Sequence, residues 1–296
     1  VLYLVDASVF IFRAYYSVPP TLTDPDGRLV NALHGFARFV GDLLERERPE
    51  YLAVAFDESL ATSFRNDLYP AYKANREPAP EELQRQFGLC RELCRRLGLA
   101  EFADARREAD DLIGALAALA AGEGRPVTIV SRDKDLTQLL TERDVYWDAI
   151  ADVRYRHADV AERFGARPER MADFLALTGD AVDNIPGVPG VGRKTAAQLL
   201  KHFDTLEGVY ANLAAVATLK FRGAAFVAQS LREHRDVAFL SRQLTAIDCS
   251  SPPVAAVERL RRRSPDLAQL DAFYDSQGFG RMLRVQGRRL LEAHAR

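Results

Sequence analysis

Nine acidic residues fall into five short clusters whose spacing suits a shared chemistry. Asp6 closes the run Leu2-Tyr3-Leu4-Val5-Asp6, and Asp57 closes Ala53-Val54-Ala55-Phe56-Asp57. Asp133 and Asp135 follow Thr128-Ile129-Val130, and Glu108, Asp110 and Asp111 open an Ala-rich segment. Asp180 and Asp183 lie in Thr178-Gly179-Asp180-Ala181-Val182-Asp183-Asn184. A lone acid after an apolar run is commonly a helix N-cap, which accounts for Asp6 or Glu108 singly but not for the set. Nine carboxylates brought together would repel one another unless cations neutralised them. An all-oxygen donor set without His or Cys favours Mg²⁺ or Mn²⁺ over zinc. Two such ions about 4 Å apart suit phosphodiester hydrolysis. The residues predict a metal-dependent phosphotransfer site.

The elements that must position these acids are legible from hydrophobic periodicity. Val1–Val5, Tyr51–Phe56, Val127–Val130 and Val145–Trp147 read as strands, while Leu29–Glu47, Glu81–Leu97 and Asp110–Ala121 repeat apolar residues at helical spacing. The alternation predicts an α/β fold with a mostly parallel sheet flanked by helices. Ligands of such sheets bind beyond the carboxyl ends of the strands, so three strand ends would deliver acids to one edge. After Tyr155 the pattern turns helical, at Met171–Thr178, Thr195–His202 and Phe226–Leu240. The expected division is an α/β core over 1–155 and a helical region over 156–296. Ala61–Pro80, interrupted by Pro70, Pro78 and Pro80, reads as a loop, and Ser250–Pro265 as a surface connection. Nothing after Gly280 announces another domain, and Val285–Arg296 reads as a basic tail, so a stand-alone chain is expected.

Composition sets the outer limits. The chain has 296 residues, of which 48% are hydrophobic and 28% charged, which excludes wholesale disorder. No run approaches the ~18 apolar residues of a membrane span, and Val1–Val5 lacks the basic start of a secretory signal. Three cysteines make no disulfide framework and suit reduced thiols in a cytoplasm. With 40 Lys and Arg against 42 Asp and Glu, the net charge of −2 argues at first against a charge-driven nucleic-acid binder. Setting the nine proposed ligands aside leaves 33 acids against 40 basic residues, which reverses that inference. The five histidines form no i, i+4 metal pair, no G-x-S-x-G elbow occurs, and Trp147 is expected in the core. Asn184–Ala196 is glycine-rich, but Arg193 intervenes between Gly192 and Lys194, which breaks the P-loop pattern. A helix–hairpin–helix turn over about 184–203 fits better, with backbone amides and a helix N-terminus available to a phosphate. A purely structural turn is the alternative.

With Asp6, Asp57, Glu108-Ala109-Asp110-Asp111, Asp133-Lys134-Asp135 and Thr178 to Asn184 in this order, the sequence resembles the 5′ nuclease family. That family comprises 5′–3′ exonucleases and flap endonucleases, including the nuclease domain of bacterial DNA polymerase I and its stand-alone relatives. The resemblance runs from Leu4-Val5-Asp6 to Gly278-Phe279-Gly280. It implies a PIN-like core with a helical arch at about 61–82 and a helical C-terminal region carrying the helix–hairpin–helix. It assigns one ion to Asp6, Asp57, Glu108 and Asp110. A second goes to Asp111, Asp133, Asp135, Asp180 and Asp183, partly through water. Lys73, Arg76 and Arg13 would hold the scissile phosphate, Tyr72 would stack on a base and Arg65 would support the DNA. Gly187, Gly190, Gly192, Arg193, Lys194 and Thr195 would grip the duplex, with a K⁺ on the carbonyls of the turn. The implied substrates are DNA with a 5′ flap or a duplex-to-single-strand junction, and RNA-primer 5′ ends. A monomer away from membranes, serving replication and repair, is expected. Two rivals remain at this stage: a junction-binding module with little catalysis, and an RNA-directed metal nuclease.

Overall fold

Strict alternation in Leu2–Asp6 (β1) and Tyr51–Asp57 (β2) divides their side chains between two cores. Leu2, Leu4, Tyr51, Ala53 and Ala55 enter one core, whereas Val5, Leu52, Val54 and Phe56 enter the other. Burial on both faces is the mark of a parallel sheet sandwiched by helices. Our computed structural model describes residues 1–58 and 62–294. The remaining strands are Ala100–Asp104 (β3), Val127–Val130 (β4), Val145–Asp148 (β5) and Val153–Arg156 (β6), in the spatial order β3-β2-β1-β4-β5-β6. β1 to β5 are mutually parallel, and β6 pairs antiparallel at the edge. β1 lies where the winding reverses, between β2 and β4, so the crevice of the sheet opens beside Asp6.

Ala7–Ser17 (α1), Asn31–Glu47 (α2) and Glu81–Arg96 (α4) cover one face, with the short Phe64–Leu68 (α3) between α2 and α4 in sequence. Leu33, Phe36, Ala37, Val40 and Leu44 give α2 its buried stripe at helical spacing. Ala109–Gly122 (α5) covers the other face, its alanines allowing close approach to the strands. Beyond β6 the chain is helical: His157–Phe164 (α6), Met171–Thr178 (α7), Arg193–Phe203 (α8), Leu206–Ala211 (α9), Leu213–Val216 (α10), Ala224–Glu233 (α11) and Arg235–Thr245 (α12). Residues of α7, α8, α11 and α12 share one core with α5. Leu267–Ser276 (α13) and Arg281–His294 (α14) close the chain. Among the described residues, no helix is long and apolar enough to cross a membrane.

Four expectations change. The expected helix Phe226–Leu240 is two helices, broken at His234. The expected basic tail is α14 as far as His294, with Leu283 and Leu290 buried and Gln286 Nε2 donating to Asp42 Oδ1 at 3.0 Å. Residues 295 and 296 of that tail lie outside the described residues. The 250–265 connection is partly internal: Val257 and Leu260 are fully buried, and the Arg262 and Arg263 amides donate to Glu50 O and Gly98 O. The helical arch is also revised. Over its described residues the segment is the five-residue helix α3, a run of tight turns in which Tyr72 is buried, and the first residues of α4. Its first residue, Ala61, lies outside the described residues.

Candidate active site

Parallel strands end at the same edge, and their terminal acids meet there. Asp6 is the last residue of β1 and Asp57 the last of β2, while Asp133 follows β4 by three residues. Glu108 and Asp110 come from the start of α5. These five acids and Asp183 line one cavity of about 1210 Å³, together with Lys73 and Arg76. Asp6 occupies the N-cap position of α1, yet its carboxylate makes no capping hydrogen bond. The Val9 amide exerts only a weak pull on it.

Neighbouring donors fix the acids in place. Ser131 Oγ donates to Asp6 Oδ2 at 2.7 Å, Ser8 Oγ to Asp57 Oδ2 at 2.6 Å, and the Ala109 amide to Asp57 Oδ1 at 2.9 Å. Ser8 and Ser131 were not singled out in the sequence, although each stands two residues from a proposed ligand. Burial, then the charge of Asp57, pushes the Asp6 carboxyl up to about 7 despite the bond from Ser131. Burial, then Asp133, raises Asp135 to about 7 as well. Asp110 is pushed well above the usual carboxylate range by burial and by Asp133, Asp6 and Asp57. Two buried carboxylate oxygens accept no hydrogen bond among the described residues: Glu108 Oε1, and Asp135 Oδ1, which is 3.0 Å from Lys134 Nζ but out of alignment. Crowded acids with raised affinity for protons and unpartnered oxygens fit a hard cation. The carboxylates converge without closing on a point: among the described residues, no three ligand-type side chains already form a coordination group.

Resident cations hold the acids apart. Lys73 Nζ lies 2.5 Å from Glu108 Oε2 and 3.7 Å from Asp183 Oδ2, and Arg76 pairs with Asp183 Oδ1. Burial opposes the Lys73 charge, but Glu108, Tyr72 and Asp183 hold its affinity for a proton above normal. Lys134 Nζ donates to Asp180 Oδ2 at 2.9 Å; burial pushes the Asp180 carboxyl up, but the bond and charge of Lys134 together with the amides of Val182 and Asp183 hold it below the usual range. Asp135 and Asp180 do not line the cavity.

Four expected assignments meet a different geometry. Asp111 is fully buried and receives Arg65 Nη1 and Nη2, each at 2.7 Å, together with the amides of Glu108 and Asp248. With both oxygens doubly occupied it has no lone pair for an ion. Arg65 is correspondingly buried, and it also donates to Leu244 O and Ala246 O, so it is a fastening within the protein rather than a support for DNA. Tyr72 lines the cavity but is only 3% exposed, and its hydroxyl donates to Glu108 Oε2 at 3.2 Å, so in this conformation the ring is packed into the protein rather than presented to a base. Arg13 is exposed on α1 and does not line the cavity, although Phe12 beside it does.

The glycine turn joins α7 to α8. Asp180 and Ile185 exchange two backbone hydrogen bonds, and the enclosed loop holds the basic segment: Lys73 N donates to Asp183 O, Asn75 Nδ2 to Ala181 O and Asn184 Nδ2 to Ala71 O. Gly187 is buried and packed on Gly179, while Gly190 and Gly192 are exposed, as are Arg193 and Lys194. Thr195 is half-buried on the first turn of α8. Arg193 Nη2 donates to Phe164 O, which commits part of its guanidinium. A Cβ at Gly187 would lie 2.3 Å from Gly179 N, and φ is +64°. Gly187→Ala is expected to cost about 2–4 kcal/mol, seen as a lowered urea midpoint. An unchanged midpoint would show that this approach can relax.

Acids at the carboxyl edge of a doubly wound sheet, joined to a glycine-rich turn between helices, suit the binding of cations and phosphates. Residues 1–165 match the family profile described as 5'-3' exonuclease, N-terminal resolvase-like domain, and residues 166–268 the 5'-3' exonuclease, C-terminal SAM fold. The chain therefore belongs to the 5′–3′ exonuclease family. It is 42% identical to DNA polymerase I of Rhizobium leguminosarum over 258 residues, covering 85% of this chain and 25% of that protein. It is 36% identical to DNA polymerase I of Bacillus subtilis over 296 residues, covering 99% and 33% respectively. The chain thus spans about a quarter to a third of the length of these relatives. Among solved structures, T5 D15 protein co-crystallised with metal ions superposes with a TM-score of 0.68 at 20% identity, covering 99% of this chain and 98% of that one. The catalytic core of Rad2 in complex with DNA substrate gives 0.62 at 16% identity, with 98% and 90% covered. At these identities the superpositions speak to the fold.

Proposed function

We propose that the chain is a metal-dependent, structure-specific 5′ nuclease that hydrolyses phosphodiester bonds near the 5′ end of DNA, as an exonuclease and as a 5′-flap endonuclease. The observation that carries this reading is the cavity in which Asp6, Asp57, Glu108, Asp110 and Asp133 meet Lys73 and Arg76. Asp6, Asp57, Glu108 and Asp110 would hold one divalent ion, Mg²⁺ or Mn²⁺, and Asp133, Asp135, Asp180 and Asp183 a second. Bound there, the ions would supply Lewis acidity, easing ionisation of water and offsetting charge on the phosphate. The relatives and superposed structures described as DNA polymerases, and as complexes with metal ions or DNA, support the assignment by kinship.

The residues of this chain do the remaining work. Ser8, Ser131 and the Ala109 amide orient Asp57 and Asp6. Arg76, with a third of its side chain exposed, is the cation best placed to exchange Asp183 for a substrate phosphate, with Lys73 behind it. The exposed amides around Gly190 and Gly192 would take the duplex backbone, which binds without reading sequence. A K⁺ on the carbonyls of that turn, monomeric action in replication and repair, and cleavage at RNA-primer 5′ ends belong to the same reading.

The pairing of Lys73, Arg76 and Lys134 with acids favours one rival, a junction-binding module whose metal affinity is low. A labelled 5′-flap duplex separates the two. The nuclease reading expects a short product in Mg²⁺ and none in EDTA, whereas the module binds without product. DNA and RNA flaps compared at equal salt test the polymer preference.

A further inference from the structure

Phe226, on the first turn of α11, is 65% exposed. A single exposed apolar residue is ordinary, but this ring packs against the glycine turn. A Cβ on Gly190 would stand 2.6 Å from its Cε1, so the absence of a side chain at Gly190 makes room for the ring. Ser230 Oγ, one turn further along α11, donates to Pro189 O at 2.7 Å, and Val227 and Ala228 are buried in the core shared with α8. The first turn of α11 is thus fastened to the turn that opens α8. Neither helix has an acid in its first turn. Lys194 stands exposed at the start of α8, and Lys220 and Arg222 are exposed just before Gly223, the N-cap of α11. None of the three cations makes an ion pair among the described residues. The surface combines an exposed aromatic ring packed on Gly190, unpaired cations and two neighbouring helix N-termini, a charge pattern complementary to a phosphate backbone.

We propose that the duplex-binding face extends beyond the glycine turn onto the start of α11. Phe226 packs against a deoxyribose of the duplex, and Lys220 and Arg222 contact phosphates of the same strand. This inference rests on the nuclease reading and adds to it a second contact element.

The test uses the full chain, a fluorescein-labelled 20-bp DNA duplex and anisotropy titrations in EDTA between 50 and 200 mM KCl. Phe226→Ala is expected to weaken duplex binding about tenfold without altering the salt slope, because no charge is lost. Lys220→Ala with Arg222→Ala is expected to flatten the slope of log affinity against log salt by about two. Because Phe226 is exposed, an unchanged circular dichroism melt should accompany its loss. Wild-type affinity in both variants would overturn the proposal while leaving Mg²⁺-dependent flap cleavage, and so the nuclease reading, intact. A concentration-dependent dimer of the wild type that Phe226→Ala dissolves, with duplex affinity unchanged, would overturn it in favour of self-association. Failure of the wild type to bind duplex would overturn this proposal; absence of flap cleavage as well would bring down the nuclease reading too.

Discussion

Asp57→Asn is expected to lower Mg²⁺-dependent cleavage of a 5′ flap by about two to three orders of magnitude. The substitution keeps the shape of the side chain. The remaining carbonyl oxygen can still accept from the Ala109 amide, and the new amide can donate to Ser8 Oγ, so the fold is spared. What disappears is one negative charge at the mouth of the crevice. A ligand charge lost from an ion that stabilises a transition state by several kcal/mol removes a corresponding part of the rate. The same change relieves Asp6 of the neighbour that ranks second only to burial in raising it toward 7. A thermal melt that is unchanged or slightly higher should therefore accompany the lost activity. Combining it with Asp135→Asn addresses both proposed ion positions. Undiminished cleavage by the double variant would exclude the metal mechanism.

The second large effect is one of stability. Arg65→Met removes the only cation that contacts Asp111 among the described residues and leaves a fully buried carboxylate beside two backbone amides. Breaking such a pair from one side typically costs about 3–5 kcal/mol, a large share of the roughly 5–15 kcal/mol that a domain commands. Leu244 O and Ala246 O lose their donor as well. Urea unfolding should show the loss directly. Arg65→Met combined with Asp111→Leu should recover most of it, because no charge is then stranded. If instead Arg65→Met kept its stability and lost affinity for DNA, the residue would return to the substrate-supporting role that the resemblance implied.

Asp110 and Asp111 illustrate where sequence reading runs out. Adjacent helical residues point about 100° apart, so one faces the cavity and the other the interior. Which is which depends on Arg65, 46 positions away, and nothing local announces that partner. Tyr72 misleads for a related reason. Its setting among cations suits base stacking, yet Glu108 and Asp183 take its hydroxyl and the body of the protein takes its ring. The strands that carry Asp6 and Asp57 were legible because they are buried on both faces and must be continuously apolar. Ala100–Asp104 was not, because an edge strand is only half-buried and its Glu101 is held by Arg91 and Arg95. The final helix was hidden by its arginines, which lie along a surface that still buries Leu283 and Leu290.

The paired backbone hydrogen bonds between Asp180 and Ile185 have a consequence for measurement. On one side the enclosed loop grips Lys73 and presents Asp183 to the cavity; on the other the chain passes through Gly187, wedged on Gly179, into α8. On the nuclease reading, the segment is a ruler with one end on the duplex and the other on the reacting phosphate. The position of the cut relative to the junction would then be set by the length of protein between them, whatever bases happen to lie there.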